Sequence, residues 1–274
     1  MNSIPINKKD RENLSFFQDL YNVKIPDIGN ITIKDRKKIS SNIKKYNFTL
    51  FELNDCTNSN LLKFANNLGL EKIIQNPYSD KNGVSNITAI KDKRQGEYIP
   101  YTNKKLNWHT DGYYNSEKEE VRAFILYCKN PAIHGGENYF LDHRILYKAL
   151  MKESKNFIGY LTQKDVFKIP SNKNLEINRN FSSFVFNVDK ANNLTMRYTM
   201  REKNIEWKSS EQLPKIKKFI DNFLDLNNPL IFKIKLKKNQ GIIANNVLHA
   251  RSSYEDLENN KRFLLRLRFG DELK

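Results

Sequence analysis

Short apolar runs with a two-residue period recur along most of this chain. V-R-A-F-I-L-Y-C (121–128) sets Phe124 and Leu126 in phase on one face, and F-T-L-F-E-L (48–53) alternates in the same way. V-F-K-I (166–169), S-F-V-F-N-V (183–188), L-T-M-R-Y-T-M (194–200), P-L-I-F-K-I-K-L (229–236), G-I-I-A (241–244), V-L-H-A-R (247–251) and F-L-L-R-L-R-F (263–269) are of strand length and bounded by turn residues. A shorter strand is expected in S-N-I-T-A-I-K (85–91), and another after the turn in H-G-G-E-N-Y-F-L-D (134–142).

Helical spacing is the exception. It predicts a helix over 9–21 (Leu14, Phe17, Leu20), and a second after Thr32 with Ile33, Ile39 and Ile43 on one side. A third, from Asn58, is closed by Gly69, and a fourth is capped by Asp142. The last spans 211–224, with Ile216, Phe219, Ile220 and Phe223 along one stripe. Many strands with few helices between them predict a mainly β fold with flanking helices, a barrel or sandwich. No repeat, linker or low-complexity tract divides the 274 residues, so one domain is expected. Residues 1–100 read as a helical/β buttress and substrate-entrance region.

Composition changes this picture little. Aromatic residues make up 12%, with 17 Phe and 13 Tyr, enough to fill a core. The net charge of +16 raises nucleic acid as a partner, but the lysines come in scattered pairs, such as Lys37–Lys38 and Lys237–Lys238, without a recognised binding motif. A small-molecule substrate is therefore expected rather than nucleic acid, an anionic one being favoured by the charge. Cys56 and Cys128 stand far apart, which argues against a disulfide framework or zinc site. The N-terminus has no apolar leader and no run is of membrane-spanning length, so a cytoplasmic location and no membrane partner are expected. Self-association is left open.

The candidate chemistry lies in N-W-H-T-D-G (107–112) and N-N-V-L-H-A-R (245–251). In a chain with four histidines and 31 acidic residues, H-x-D alone means little. On a strand, however, positions i and i+2 share a face, so His109 and Asp111 could reach one ion while Thr110 points away. His249 would complete two histidines and a carboxylate, the facial arrangement of non-haem iron(II) oxygenases. A lone histidine in such a strand can equally be a hydrogen-bonded core residue. The arginines shift the balance. Arg262, Arg266 and Arg268 are even-numbered in one strand-like run and so share a face. Arginine grips carboxylates with paired hydrogen bonds, which suits a dicarboxylate co-substrate. Arg268 is expected in a surface ion pair. Tyr98, Tyr101, Tyr113 and Tyr114 surround the ligands, either as packing or as an aromatic box for an amine. His134 is read as a surface turn residue and His143 as a helix start, neither of them a ligand.

In order and spacing, H-T-D, then G-G-E-N, then N-N-V-L-H-A-R followed by K-R-F-L-L-R resemble the iron(II)/2-oxoglutarate dioxygenases of the taurine dioxygenase (TauD/TfdA) family, with similarity to its γ-butyrobetaine hydroxylase branch. The resemblance runs from about Leu106 to Phe269. It implies a double-stranded β-helix (jelly-roll, cupin-like) core over 101–274, iron(II) on His109, Asp111 and His249, and 2-oxoglutarate and dioxygen as co-substrates. The co-substrate arginine falls on Arg262, assisted by Asn138 where many relatives carry Thr or Ser. Arg266 matches a second family arginine, open to co-substrate, substrate or structural roles. The implied reaction is hydroxylation of a C–H bond of a small polar, amino-acid-like, amine or anionic substrate, with release of succinate and CO2. Desaturation, cleavage or a macromolecular substrate would use the same residues, and a non-catalytic metal-binding barrel is the remaining alternative.

Overall fold

The computed structural model describes residues 17, 20, 23–26, 28–29, 31–54, 56–89, 99–170, 181–201 and 205–274. The helix expected over 9–21 lies outside them apart from Phe17 and Leu20, and Tyr98 lies outside them as well. Two sheets face each other. The larger contains Lys24–Ile25 (β1), Phe48–Leu53 (β2), Ser85–Ile87 (β3), Ala123–Asn130 (β5), Gln240–Ala244 (β8) and Phe263–Phe269 (β10); the smaller contains Leu106–His109 (β4), Asn138–Leu141 (β6), Phe232–Ile234 (β7) and Leu248–Arg251 (β9). The larger runs β1-β2-β8-β5-β10-β3 and the smaller β7-β6-β9-β4, so that strands distant in sequence become neighbours. This is the expected mainly β architecture, with β1, β2 and β3 from the first hundred residues built into the same sheet as the later strands.

Alternation decides what each face buries. In β2, β5, β8 and β10 the residues Phe48, Leu50, Phe124, Cys128, Ile242, Ala244 and Leu264 point between the sheets, against Phe140 and Phe232 of the smaller sheet. Their chain neighbours Phe51, Ile125, Tyr127, Ile243 and Leu265 point outward and are covered by helices Ile33–Tyr46 (α1) and Asn58–Asn67 (α2). On the far side, Trp108, Tyr139, Leu141, Leu248 and Ala250 of the smaller sheet pack against His143–Glu153 (α3), Lys155–Leu161 (α4) and Leu213–Phe223 (α5). Each such side chain, fully buried, contributes about 1.5–3 kcal/mol over its exposed state. Since outer positions of the strands are apolar too, both sheets are covered on both faces.

Local chemistry fixes the helix ends. Thr32 caps α1 in a reciprocal box: its hydroxyl accepts the Asp35 N–H and the Asp35 carboxylate accepts the Thr32 N–H. Ile39 and Ile43 are buried as expected. Ile33, expected on the same side, is 74% exposed, because six residues before Ile39 it stands about 120° around the helix from it. Thr57, one residue earlier than expected, caps α2, and Asp142 caps α3 by accepting the Arg144 N–H. The polar turn 189–193 closes the expected hairpin between Phe186–Val188 and Leu194–Met196. The sequence pattern did not register α4, a seven-residue helix abutting α3. Among the described residues, no helix is long and apolar enough to cross a membrane.

Candidate metal centre

The antiparallel pairing of β9 with β4 sets His249 directly opposite His109. Their rings lie 4.2 Å apart between centroids, with Phe124 4.7 Å from the His249 ring on the other side. Each imidazole is oriented in the same way: His109 Nδ1–H donates to the Asn107 carbonyl at 2.8 Å, and His249 Nδ1–H to the Val247 carbonyl at 2.9 Å. A carbonyl can only accept, so the proton resides on Nδ1 and Nε2 keeps its lone pair, the tautomer a metal requires. Asp111 completes a cluster in which one donor atom from each residue lies within 4.8 Å of the others.

The route by which Asp111 arrives differs from the expected one. β4 ends at His109, and Asp111 opens a turn rather than continuing a strand. Thr110 does point away: its N–H donates to the Tyr198 carbonyl and its hydroxyl accepts the Tyr198 N–H. The backbone of Asp111 is held by the Asn246 side chain instead.

Electrostatics hold the cluster in its ligating protonation state. Burial, then repulsion from His249, pushes the His109 imidazole down to about 3, although Asp111 and the Asn107 carbonyl oppose this. Burial likewise lowers His249. For Asp111, burial would raise the carboxyl, but the Arg266 guanidinium, with Nη1 3.3 Å from Oδ1, and the two imidazoles hold it well below the usual range. Two neutral imidazoles and one carboxylate therefore coexist at neutral pH. The Asp111 Oδ2 atom is buried with no hydrogen-bond partner among the described residues. Such an atom is costly unless something else satisfies it, and a divalent cation fits that description.

Arg266 and Arg268 do share the inner face of β10, while Arg262 stands just before the strand begins; the three lie at different stations. Arg266 pairs with Asp111. Arg268 is not on the surface as expected; it is 2% exposed, donating to the Gln75 carbonyl (2.8 Å) and the Tyr114 hydroxyl (3.3 Å), because the β3 edge and the preceding loop close over it. Arg262 is also buried, with its guanidinium 5.0 Å from the Tyr254 ring centroid. Its Nη1 has no hydrogen-bond partner, and no carboxylate stands within ion-pair distance among the described residues. Asn138, in β6, is opposite Arg251, and its amide Nδ2 lies 3.4 Å from the Gly136 carbonyl. A side chain at Gly136 would approach Arg262 Nε to 3.5 Å, so the G-G turn lies alongside the guanidinium.

Of the tyrosines, Tyr113 and Tyr114 follow Asp111 in its turn and meet edge to face at 5.2 Å. Tyr113 hydrogen-bonds Arg201 and Thr199. Tyr101 is buried in the core, packed edge-on against Tyr78; burial raises its phenol, with Arg266 opposing and Tyr114 adding to the rise. His134 is exposed and His143 begins α3 with Nε2 2.8 Å from the Leu194 carbonyl, so neither joins the cluster. Sequence reasoning missed three residues near the site: Asn246, Tyr254 and Arg251. Arg251 donates to the carbonyls of Pro100, Thr102 and Lys104 and so ties down the segment leading into β4. The signal available for Asn246 and Arg251 was their place in N-N-V-L-H-A-R; for Tyr254 there was none.

The family model described as taurine catabolism dioxygenase TauD, TfdA family matches residues 10–268, beginning far ahead of Leu106, where the motif resemblance started. That match carries no assignment to the γ-butyrobetaine branch. No curated protein matches the chain by sequence. Among solved structures, the chain is similar to an asparagine oxygenase described with Fe(II), 3-hydroxyasparagine and succinate (TM-score 0.64, 11% identity, covering 96% of this chain and 91% of that one). It is similar also to PvcB from Pseudomonas aeruginosa (0.61, 11%, 91% and 84%). A third is the non-haem iron oxygenase OrfP, described with Fe, succinate and (3S)-hydroxy-L-arginine (0.62, 13%, 87% and 81%). At these identities the likeness establishes the fold, a double-stranded β-helix with flanking helices.

Proposed function

Because the chain belongs to the taurine catabolism dioxygenase TauD/TfdA family, we propose that His109, Asp111 and His249 are its iron ligands and that Arg262, assisted by Asn138, holds the far carboxylate of 2-oxoglutarate. The chain is an iron(II)- and 2-oxoglutarate-dependent oxygenase. The observation that carries the ligand assignment is the convergence of three donor atoms within 4.8 Å, with both Nδ1 atoms engaged by carbonyls and Asp111 Oδ2 unpartnered. Bound iron would supply the activation of dioxygen, the oxidant, with 2-oxoglutarate giving two electrons: one oxygen atom would end in the hydroxylated C–H bond and the other in succinate, with release of CO2.

The chain's own residues bind and orient. Arg262 offers a permanently charged fork whose Nη1 has no hydrogen-bond partner and which has no carboxylate at ion-pair distance among the described residues, Asp256 acting on it only from farther off, which suits a dicarboxylate entering the barrel. Asn138 supplies an amide beside the same turn, where it can add a hydrogen bond. Arg266 keeps Asp111 ionised, so that a proton does not compete with the cation. Phe124 and Phe140 flank the half-buried His249 ring and limit its orientations. The substrate reading is a small amino-acid-like molecule: Tyr113 and Tyr114 leave the Asp111 turn as aromatic neighbours suited to an amine, and Arg266 suits an anionic group. Tyr101 supports Arg266 from the core, and Tyr98 belongs to the same reading on the strength of the sequence alone.

The test is an anaerobic titration of metal-free protein with iron(II) and then 2-oxoglutarate, following the visible charge-transfer band of a chelated 2-oxo acid. A band that saturates with 2-oxoglutarate and disappears in His249→Ala supports the assignment. Iron bound without a band would exclude the co-substrate reading, and an unchanged band in His249→Ala would exclude the ligand set.

A further inference from the structure

Asp111 presents a structural problem that the two histidines do not share. His109 and His249 stand on paired strands, where the ladder fixes the backbone, whereas Asp111 lies two residues past the end of β4, in a turn. No strand partner takes up its N–H and C=O. Both are instead taken by one side chain. Asn246 Oδ1 accepts the Asp111 N–H at 2.8 Å, and its Nδ2 donates to the Asp111 carbonyl at 3.0 Å and to the Val121 carbonyl at 2.7 Å. An amide carries an acceptor and a donor in one plane, so here it reproduces what a neighbouring strand would offer.

Asn246 belongs to the segment that orients the other ligand. The next residue, Val247, supplies the carbonyl that orients His249. Asn246 has φ 45°, in the left-handed region that asparagine tolerates better than most residues. Its neighbour Asn245 makes a closely similar pair of bonds elsewhere: it donates to the Leu273 carbonyl at 3.0 Å and accepts the Leu273 N–H at 2.8 Å. One member of the doublet therefore pins the C-terminal segment, and the other pins the turn that bears the carboxylate.

We propose that Asn246 is a positioning residue for the metal centre, fixing the Asp111 carboxylate relative to His249 by clamping the Asp111 backbone. This rests on the ligand assignment above. Groups that orient ligands from behind typically carry a ten- to hundredfold effect on metal affinity, so Asn246→Gly should weaken iron(II) binding on the order of tenfold or more. Glycine removes the clamp and leaves the left-handed backbone unstrained.

The experiment measures anaerobic iron(II) affinity, the visible d–d spectrum of the cobalt(II)-loaded protein and the melting temperature of the metal-free protein. The variants are Asn246→Gly, Asn245→Ala and Asp111→Ala. The expected result is weaker iron binding and an altered cobalt spectrum in Asn246→Gly, with Asn245→Ala close to wild type in both even where its melting temperature falls. Wild-type affinity in Asn246→Gly, or losses in the two asparagine variants that simply follow melting temperature, would overturn the proposal. Undiminished binding in Asp111→Ala would instead strike the ligand assignment. Should Asn246→Gly not fold, Asn246→Asp keeps the acceptor and loses both donors. Its added negative charge by itself would tighten cation binding, so weakening supports the clamp, and unchanged or tighter binding overturns it.

Discussion

Arg262 and Arg266 lie within four residues of each other and are both buried, yet their replacement by methionine should move the stability of the metal-free protein in opposite directions. Arg262 is 3% exposed, has no ion-pair partner among the described residues, and lies near a second buried cation, Arg251, with the Asp256 carboxylate offsetting part of this from beyond ion-pair distance. A guanidinium does not deprotonate in proteins, so its desolvation is a standing cost. Exchange of buried charge for a packed apolar group is commonly worth about 1–4 kcal/mol. Loss of the stacking on Tyr254 returns about 1 kcal/mol of this. Arg262→Met should thus leave the protein about 0–3 kcal/mol more stable, a rise in Tm of up to several degrees. Arg266→Met strips Asp111 of its 3.3 Å partner while the carboxylate stays 5% exposed, a change that costs about 3–5 kcal/mol. Bound iron, taking over as counter-charge, should restore part of that loss. For co-substrate the order reverses: Arg262→Met removes one partner of a buried charge pair, worth about 2–5 kcal/mol, or roughly 30- to several-thousand-fold in 2-oxoglutarate affinity. Urea denaturation without metal, paired with the anaerobic charge-transfer titration, reads both effects. Destabilisation by Arg262→Met with 2-oxoglutarate affinity kept within twofold would refute the reasoning. Loss of that affinity in Arg266→Met alone would transfer the co-substrate role to Arg266.

Three further outcomes follow from particular contacts. The buried His109 has its folded pKa, about 3, below its unfolded value, so the unfolded chain takes up the proton first as pH falls. The stability held above pH ~6.5 is lost toward pH 3, with about 2 kcal/mol gone between pH 7 and 5 from this residue alone; His249 and His143, lowered by burial, steepen the loss. A flat urea midpoint across that range in metal-free protein would contradict buried neutral imidazoles. Gly135→Ala adds a methyl group at φ 65° that would collide with the Ser253 carbonyl, so it should cost at least about 1–3 kcal/mol and weaken 2-oxoglutarate binding through the turn beside Arg262; unchanged values in thermal melts and titration would count against that role. Tyr127→Phe deletes a phenol lying 2.9 Å from both the Leu53 carbonyl and Asn239 Oδ1 and accepting the Cys56 N–H, for about 1–3 kcal/mol in denaturation. Iron affinity should be unaltered, since these partners lie on the outer face of the larger sheet.

What the sequence determined about this protein is what periodicity and local chemistry can encode. The two-residue repeat put Phe124 and Leu126 in phase, and it gave Arg266 and Arg268 a common face, Arg262 falling just ahead of the strand. Thr32 and Asp142 announced helix starts because a cap acts within one turn. The H-T-D and V-L-H-A-R motifs identified the three residues that converge, because the chain has only four histidines and the combination of motifs is restrictive. Tertiary structure alone decided the rest. That Asp111 is carried by a turn and clamped from Asn246, that Arg268 is covered rather than exposed, and that Arg262 stacks on Tyr254 with no carboxylate at ion-pair distance among the described residues all depend on which strands become neighbours. Ile33, by contrast, was decided by helical geometry: six residues before Ile39 it stands about 120° around α1 from it, off the stripe that Ile39, Ile43 and Tyr46 bury. A side chain's periodicity is a property of its own element; its partner is set by closure of the barrel, which brings residues more than a hundred positions apart into contact.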